Sequence, residues 1–341
     1  MGGTSANDPR TPVSDGPPLR PSGRPSAHPV GVPAMGTIVD GKYELVRVLG
    51  IGGMGAVVAA RHAKLGQSFA LKFLLAEATR QPEALARFAR EGRAAAALRS
   101  EHVARVTDLG ALPTGEPYLV LEYLHGTDLN RLVETEGRLA PERAVDFVLQ
   151  ALEALAEAHA NGIIHRDLKP ANLFLTTRVD GGPLVKILDF GISKLVADSE
   201  RITASSTVMG SPHYMSPEQI KSVKNVDART DVWAVGVILY ELVTGKLPFD
   251  ADSMPGIVAA IVTEPPTPPT AHVPDLPRDL EAVILACLEK DRNKRVRDVA
   301  ELAERLAPFA SAAGRGDVES IRRVAQSGAL RAATIASVAG A

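Results

Sequence analysis

Residues 165–172 read His-Arg-Asp-Leu-Lys-Pro-Ala-Asn, and this stretch is the strongest guide to the fold and chemistry of the chain. The carboxylate of Asp167 can orient a hydroxyl group and accept its proton. Lys169 can offset negative charge that develops during a group transfer. The amide oxygen of Asn172 is a ligand that suits Mg²⁺. The stretch therefore predicts a site at which a hydroxyl group reacts beside bound negative charge and a metal ion.

A further acidic residue, Asp189, follows an apolar run that begins at Val185. The run reads Val-Lys-Ile-Leu, which is typical of a short strand, and a turn at 180–183 precedes it. A carboxylate at the end of a strand, next to Phe-Gly, suits a metal ion that bridges phosphate groups. Asp189 lies 22 positions beyond Asp167 and is predicted to be a second metal ligand.

Residues 50–57 form a glycine-rich loop, Gly-Ile-Gly-Gly-Met-Gly-Ala-Val. Glycines at these places let backbone amides approach phosphate oxygens, although a flexible hairpin turn fits the pattern equally well. In a dinucleotide-binding fold the loop would open a helix. Here Val57 and Val58 predict a strand, and a further strand follows at 69–74. The Gly-Lys-Ser/Thr ending of the Walker pattern is absent, so neither of those nucleotide folds is favoured.

Lys72 lies inside the apolar strand 69–74, although most lysines are exposed. A cation between apolar neighbours needs a partner of opposite charge. The helix predicted over 82–98 carries Glu91, which is the best candidate. The alternative is that Glu91 is only a solvated charge on that helix.

Together these motifs resemble those of Hanks-type (eukaryotic-like) protein kinases of the bacterial serine/threonine branch. The resemblance runs from about residue 43 to residue 309. It implies an α+β, bilobal protein-kinase fold, with a β-rich N-lobe that has one main helix and a mainly helical C-lobe. The expected organisation is a disordered Pro/Gly/Ser-rich tail at 1–38, a kinase domain at 39–309 (N-lobe 39–124, C-lobe 125–309), and a tail or the start of a linker at 310–341.

The resemblance also implies ATP and Mg²⁺ as ligands. It makes Asp167 the catalytic base, with Lys169 and the Lys72–Glu91 pair completing the catalytic set, and it makes Asn172 and Asp189 the metal ligands. The residues that it assigns to nucleotide binding are Leu49, Gly50, Gly52, Gly53, Gly55, Val57, Ala70, Lys72, Glu122, Leu124, Asp128, Leu173 and Asp189, with Leu121 as gatekeeper.

Three further residues match family positions with a bracing role. The segment 216–218 reads Ser-Pro-Glu in the place of Ala-Pro-Glu, and Arg295 lies where the family pairs an arginine with this glutamate, Glu218. Asp231 opens a buried helix. All three are expected to stabilise the C-lobe.

The resemblance favours serine and threonine as acceptors. Lys169-Pro170 after the catalytic aspartate is the serine/threonine pattern, and 210–214 resembles Gly-Thr-Pro-x-Tyr with Ser211 in place of threonine. Ala171 occupies a position where some kinases carry an acidic residue that selects basic peptides, so a preference for arginine near the acceptor is unsupported there.

Arg166, beside the catalytic aspartate, indicates control by phosphorylation of an activation loop, because a phosphate would join this cation and order the loop. The expected result is autophosphorylation, in trans within a possible homodimer. The acceptors are Thr203, Ser205, Ser206 and Thr207, of which Thr203 and Ser205 lead by family placement.

A looser contact is expected at Ala95, within the run Ala94–Ala97, where many kinases place a leucine or methionine. A small side chain makes fewer contacts. The hypothesis is that the helix bearing Glu91 packs loosely until a partner, a dimer contact or the phosphorylated loop holds it.

Two other classes of protein compete with an active protein kinase. A pseudokinase scaffold would usually have lost the lysine, the catalytic aspartate or the metal aspartate, all of which are present. A small-molecule kinase of related fold, such as an aminoglycoside phosphotransferase, would lack the peptide-docking segment 210–218.

The bulk composition fits a soluble globular protein, with 45% hydrophobic and 23% charged residues among 341. A formal net charge of −2 favours neither a nucleic-acid partner nor an anionic membrane. The one cysteine, Cys287, excludes an internal disulfide and fits a reducing cytoplasm. The most apolar stretch, 232–243, is too short to span a bilayer, so a cytoplasmic location is predicted.

Overall fold

The computed structural model describes residues 31–52, 55–80, 82–189, 212–222 and 226–339, and these form two lobes. The strands of the small lobe are β1 (Ile38–Val39), β2 (Tyr43–Ile51), β3 (Gly55–His62), β4 (Ser68–Leu74), β5 (Val106–Ala111) and β6 (Pro117–Glu122). They form an antiparallel sheet in the order β1-β2-β3-β4-β6-β5. Helices α1 (Ala76–Thr79) and α2 (Pro82–Ala97) connect β4 to β5.

The side chains of β4 alternate between the core of the small lobe and the opposite face of the sheet. Leu71 and Phe73 of β4 are buried in the lobe's core, together with Tyr118 of β6. Because successive side chains of a strand point to opposite faces, Ala70 and Lys72 lie on the other side of the sheet. They border the space between the lobes.

The packed small lobe begins earlier than the boundary predicted at residue 39. Val32 and Val39 are buried in the same core, and Met35 packs against it. A Cβ added to Gly31 would lie 2.6 Å from the backbone nitrogen of Ala76, so the chain passes close to α1. Residues 31–38 therefore belong to the lobe, because their apolar side chains, such as Val32, pack in its core.

The large lobe is mainly helical. Its helices are α3 (Leu129–Glu136), α4 (Pro141–Ala160), α5 (Pro217–Lys221), α6 (Arg229–Thr244), α7 (Met254–Thr263), α8 (Arg278–Cys287), α9 (Val299–Leu306) and α10 (Ala312–Ala339). Strands β7 (Thr127–Asp128), β8 (Leu173–Thr177) and β9 (Pro183–Ile187) form an antiparallel sheet in that order. This sheet lies on the side of the lobe that faces the β-rich lobe, since β7 follows directly from the connection between lobes.

Helix α6 is the centre of the large lobe and is buried along almost its whole length. Trp233 stacks on Phe249 with the ring centroids 5.6 Å apart. A Cβ added to Gly236 would lie 2.5 Å from Cβ of Cys287, so the glycine lets α8 approach closely. This close packing makes the core of the large lobe rigid, and the core supports the loops that border the space between the lobes.

The sequence also predicts helices at 229–243, 252–263, 278–289 and 297–307, and the structure confirms all four, with ends that differ by at most two residues. Two of the differences have a capping explanation. Ser253 and Asp298 accept hydrogen bonds from the N–H groups of Gly256 and Glu301, and each helix starts one residue after its cap.

The segment predicted as a tail or linker, 310–341, contains the 28-residue helix α10. Val318 and Ile321 are buried in the core of the large lobe, and Val324 packs against it. The apolar stripe is short and is interrupted by Ser and Gly. The sequence therefore shows little helical periodicity, although the helix packs against its neighbours.

Within the ranges that the structure describes, none of the helices is both long and apolar enough to cross a membrane.

Candidate active site

A cavity of about 350 Å³ lies between the lobes and takes its walls from both. The small lobe contributes β2 and β3, the connection between the lobes contributes 121–124, and the large lobe contributes β7, β8 and the end of β9. The predicted residues that line it are Leu49, Gly50, Val57, Ala70, Leu121, Glu122, Leu124, Asp128 and Asp189.

The glycine-rich loop is the turn between β2 and β3, as predicted. The N–H of Gly52 donates to the carbonyl of Gly55 at 2.8 Å and closes the turn. A Cβ added to Gly55 would lie 2.5 Å from the carbonyl oxygen of Phe73, so only glycine fits there. Gly53 lies outside the described residues. The loop borders the cavity through Gly50.

Leu173 is a predicted pocket residue that the structure places in the core. It is 1% exposed and belongs to the core of the large lobe, whereas its neighbour Phe174 lines the cavity. Both are in β8, where successive side chains point to opposite faces. The assignment of Leu173 to the nucleotide pocket is therefore corrected to Phe174.

An ion pair between β9 and the connection between the lobes holds that connection in place, and the sequence did not reveal this pair. Lys186 of β9 is buried, and its ammonium lies 2.7 Å from Oε1 of Glu122. The same carboxylate oxygen accepts the N–H of Arg105 at 2.8 Å. In the sequence, Lys186 is only one polar residue in an apolar strand, and nothing there indicates that Glu122 is its partner.

Asp128, which the resemblance assigns to nucleotide binding, has a fixed position beside the cavity. It lines the cavity, and it caps α3 by accepting the N–H of Arg131 at 2.9 Å. The cap holds the carboxylate in one orientation.

The segment 165–172 folds into a loop around Asp167. The ammonium of Lys169 lies 3.4 Å from Oδ2 of Asp167. The side-chain amide of Asn172 donates to the carbonyl oxygen of Asp167 at 2.7 Å, and the carbonyl of Asn172 accepts the N–H of Leu188 at 2.8 Å. These bonds join the loop to the residue that precedes Asp189.

The buried carboxylate of Asp231 braces this loop from α6. It accepts the backbone N–H groups of His165 and Arg166, both at 2.9 Å, and lies 2.8 Å from Nε2 of His159. Burial alone would raise the pKa of Asp231, but the hydrogen bond and charge of His159 hold that pKa below its usual value. Arg166 has a φ of 66°, a strained conformation that this anchoring maintains.

Lys72 lies opposite this loop, and its ammonium is 2.8 Å from Oδ1 of Asp189. Burial favours the neutral amine, yet the negative charges of Asp189 and Glu91 outweigh it and raise the pKa of Lys72. Glu91, the partner predicted from the sequence, therefore acts on Lys72 as a neighbouring charge, while Asp189 is in direct contact with it. A small cavity of about 20 Å³ is bordered by these three residues and Ala95.

The donor set fits Mg²⁺. Asp189 offers carboxylate oxygens and Asn172 an amide oxygen, and the two segments are joined through Leu188. Mg²⁺ prefers oxygen ligands and is commonly held by one or two carboxylates together with phosphate oxygens. The apolar cavity with a polar rim beside these donors also suits a nucleotide.

The predicted pairing of Arg295 with Glu218 is confirmed. The guanidinium makes two bonds to the carboxylate, at 2.7 and 3.0 Å, and its side chain is wholly buried. The next residue along α5, Gln219, donates to the carbonyl oxygen of Arg166 at 2.9 Å. The Ser-Pro-Glu segment is thereby tied both to the end of the domain and to the loop that carries Asp167.

The predicted phosphorylation sites Thr203, Ser205, Ser206 and Thr207 lie outside the described residues, as does Ser211. Nη1 of Arg166 is buried and has no hydrogen-bond partner within the parts of the chain that the structure describes.

Comparison with known proteins gives the same picture as the geometry. The protein kinase domain family matches residues 43–305. Serine/threonine-protein kinase PknB of Mycobacterium tuberculosis is 42% identical over 265 residues, which are 76% of this chain and 42% of PknB. Serine/threonine-protein kinase Pkn1 of Myxococcus xanthus is 42% identical over 260 residues, 76% of this chain and 37% of Pkn1. This chain thus spans about two fifths of the length of these relatives.

The fold is also similar to solved structures. The crystal structure of the PknI kinase domain of Mycobacterium tuberculosis superimposes with a TM-score of 0.63 at 27% identity, and it covers 82% of this chain and all of that domain. With most of the chain matched and the bilobal architecture shared, this chain belongs to the protein kinase family and is related to its bacterial serine/threonine branch.

Proposed function

We propose that this chain is an active serine/threonine protein kinase, which transfers the γ-phosphoryl group of ATP to Ser or Thr hydroxyls of protein substrates. The observation that carries the proposal is the convergence of four side chains on one cleft. Lys72 contacts Asp189, Asn172 donates to the carbonyl of Asp167, and Leu188 joins Asn172 to Asp189.

The roles follow from charge and position. Asp167 orients the acceptor hydroxyl and takes its proton. Lys169, 3.4 Å from Asp167, offsets negative charge on the transferred group. Lys72 binds the α- and β-phosphates and is kept protonated by its acidic neighbours. Asn172 and Asp189 would hold Mg²⁺, which neutralises phosphate charge when it is bound.

The adenine site of this proposal is the apolar part of the cavity. Val57 and Ala70 form one wall and Phe174 the other, so a planar base would be enclosed between apolar surfaces. The backbone groups of Glu122 and Leu124 would bond the edge of the base, and Asp128 a ribose hydroxyl. Lys186 supports this region through Glu122.

An experiment on Asp167 tests the proposal. We expect Asp167→Asn to lower kcat by ~10²–10⁴, the usual range for loss of a general base, with little change in the KM for ATP, since Asp167 is not assigned to nucleotide binding. Transfer of radiolabelled phosphate to a generic protein substrate measures both constants. Asp275→Asn, which neutralises an exposed carboxylate in the large lobe, is the matched control and should retain the parental rate. Equal rates for Asp167→Asn and the parental protein would rule the proposal out and favour the scaffold alternative.

We also propose that the protein phosphorylates itself, in trans within a homodimer. The support is the buried Nη1 of Arg166, which has no hydrogen-bond partner among the described residues and belongs to the residue next to Asp167. The incoming phosphate would satisfy that cation. We expect incubation with ATP and Mg²⁺ to add mass at 198–210, at Thr203 or Ser205 first. Intact-mass measurement and peptide mapping would contradict this if the segment remained unmodified while an added protein substrate was phosphorylated.

The cytoplasmic location stays a prediction from the sequence.

A further inference from the structure

Helix α10 lies along α4, and the two helices run in the same direction. The N–H of Ser311, just before α10, donates to Oδ1 of Asp146 near the start of α4. Midway, Glu153 of α4 and Ser320 of α10 border the same cavity. At the far end Gly328 lies against Ala160, the last residue of α4. The partners advance together along both helices, so α10 follows α4 from Asp146 to Ala160.

The close approach of the two helices depends on two glycines of α10, which have no side chain. A Cβ added to Gly314 would clash with the carboxylate of Asp146, and one added to Gly328 would clash with Cβ of Ala160. Between the glycines, Val318 and Ile321 are buried in the core of the large lobe. Gly328 is therefore the point at which α10 contacts the C-terminal turn of α4.

That turn of α4 holds the segment that follows α2. The carboxylate of Glu157 accepts the N–H of Arg99 at 2.9 and 3.0 Å, and that of Ser100 at 2.7 Å. Glu157 precedes Ala160 by three residues, so both lie on the same stretch of helix surface. In addition, Leu98 is buried in the core of the large lobe, not in that of the small lobe. The C-terminal end of α2 is thus anchored to α4.

Phe88 of α2 is buried against Leu74 and Leu119, but from Gly92 to Ala97 the apolar positions of the helix are only Gly and Ala. A Cβ added to Gly92 would clash with the side chain of Leu119, so the helix lies close to β6 there without a side chain. Ala95 borders the small cavity that also touches Glu91 and Lys72. Because small side chains contribute few contacts, the position of Glu91 depends on the anchor at the C-terminal end of the helix as well as on Phe88.

We propose that α10 is a positioning element for the kinase reaction. Gly328 of α10 packs against Ala160 and so holds the last turn of α4 in place. Glu157 in that turn, through its bonds to Arg99 and Ser100, then fixes the position of α2. The proposal rests on the proposed function, because it assigns Glu91 its role beside Lys72. It predicts that the contact of Gly328, more than 20 residues beyond the family match that ends at 305, affects catalysis at the cleft.

The test adds one methyl group in the full chain. Gly328→Ala should displace the end of α4 and lower kcat by roughly 10-fold, within the ~10²-fold loss that a 1 Å misplacement can cause. Alanine favours a helix more than glycine does, so a weaker α10 could not explain the loss. The double variant Gly328→Ala/Ala160→Gly moves the methyl group to the other helix and should restore kcat towards the value of Ala160→Gly alone. Gln326→Ala, at an exposed position of α10, is the matched control and should leave kcat unchanged.

Hydrogen–deuterium exchange provides a readout that does not depend on catalysis. Gly328→Ala should speed exchange in peptides covering 82–100, which contain the amides of Arg99 and Ser100, and the double variant should reverse this. Glu157→Gln should speed exchange in the same peptides, and its effect on kcat should not add to that of Gly328→Ala.

The inference is wrong if Gly328→Ala leaves both kcat and exchange at parental values, if exchange changes only within α10, or if the effects of the two substitutions on kcat are additive. A parental protein that transfers no phosphate would instead contradict the proposed function. Exchange in 82–100 would still decide whether α10 controls α2.

Discussion

The carboxylate of Asp231 accepts bonds from both peptide N–H groups that flank the start of the reacting loop. Each such group would cost about 1–3 kcal/mol if left buried without a partner. Arg166 keeps its positive φ only because Asp231 and Gln219 bond the two ends of its backbone. A residue that touches no substrate therefore determines where Asp167 lies.

The correction from Leu173 to Phe174 can be tested with a matched pair of substitutions. Phe174→Ala should raise the KM for ATP by about 10-fold, since a lost apolar contact of about 1.5 kcal/mol corresponds to that factor, and it should change stability less. Leu173→Ala should lower the free energy of unfolding by about 2–5 kcal/mol, because Leu173 is 1% exposed.

Steady-state kinetics and denaturant unfolding separate these effects. A folded Leu173→Ala protein with parental stability and a raised KM would show that Leu173 is the pocket residue after all.

At the scale of elements, the segment 99–105 joins the lobes more firmly than its irregular backbone suggests. Its start is bonded by Glu157 of α4, and the N–H of Ala104 donates to Ile187 of β9 at 3.0 Å. Its end bonds Glu122, which also binds Lys186. The helix α2, the connection between the lobes and the strand leading to Asp189 therefore meet at one short segment.

The interface between α10 and α4 contains more acid than its surroundings can neutralise. Burial first, then the charges of Glu153, Asp146 and Glu101, raise the pKa of Asp317 to about 6, while Arg178 opposes the shift. A carboxyl whose pKa is higher in the folded state binds its proton more tightly there. It therefore weakens the fold above about pH 6, and the penalty is relieved as the pH falls from 6 towards the unfolded value of 3.8.

Replacing Asp317 should reveal this penalty. We expect Asp317→Asn to raise the free energy of unfolding at pH 8 by about 1 kcal/mol, a value reduced for solvent screening of a partly exposed group. At pH 4 the substitution should have little effect. Thermal melts across this pH range measure the difference, with Glu319→Gln, an exposed neighbour, as the control. A stabilisation that is the same at pH 4 and pH 8 would contradict the assignment.

At the scale of the whole molecule, the cleft brings together groups from separate regions of the chain: Lys72 from the small lobe and Asp167, Asn172 and Asp189 from the large lobe. The two lobes have separate cores. Lys72 and Asp189 pair across the boundary between them, so a ligand that binds both lobes should stabilise the whole molecule.

Binding of ATP with Mg²⁺ should raise the melting temperature. At a ligand concentration 100 times Kd the gain is about 2.7 kcal/mol, or roughly 5–10 °C for a domain of this size. Asp189→Asn should remove the part of the shift that requires Mg²⁺, because it deletes a proposed metal ligand. A differential scanning measurement with ATP alone and with ATP plus Mg²⁺ tests this. An Mg²⁺-dependent shift of parental size in Asp189→Asn would show that the ion is held elsewhere.

Much of this protein could be predicted from its sequence because the informative residues are clustered. The loop 165–172, the glycine turn before Val57 and the aspartate after β9 each carry their chemistry within a few positions, and backbone geometry over such short distances is largely local. The four central helices were also predictable, since their apolar faces are long and their caps are polar.

Tertiary structure alone decided the features that depend on which of two neighbours faces a given side, or on contacts between distant segments. Alternation says that Leu173 and Phe174 point in opposite directions but not which one faces the cleft; the packing of β8 on the large lobe settles it. Likewise, the apolar residues of α10 are mostly alanines, which show little periodicity. The helix can pack against α4 because two of its glycines allow the helices to approach closely. The residues that these glycines contact lie more than 150 positions earlier in the chain. Such contacts have no local signature, because the residues that make them are small and their partners are far away in the sequence.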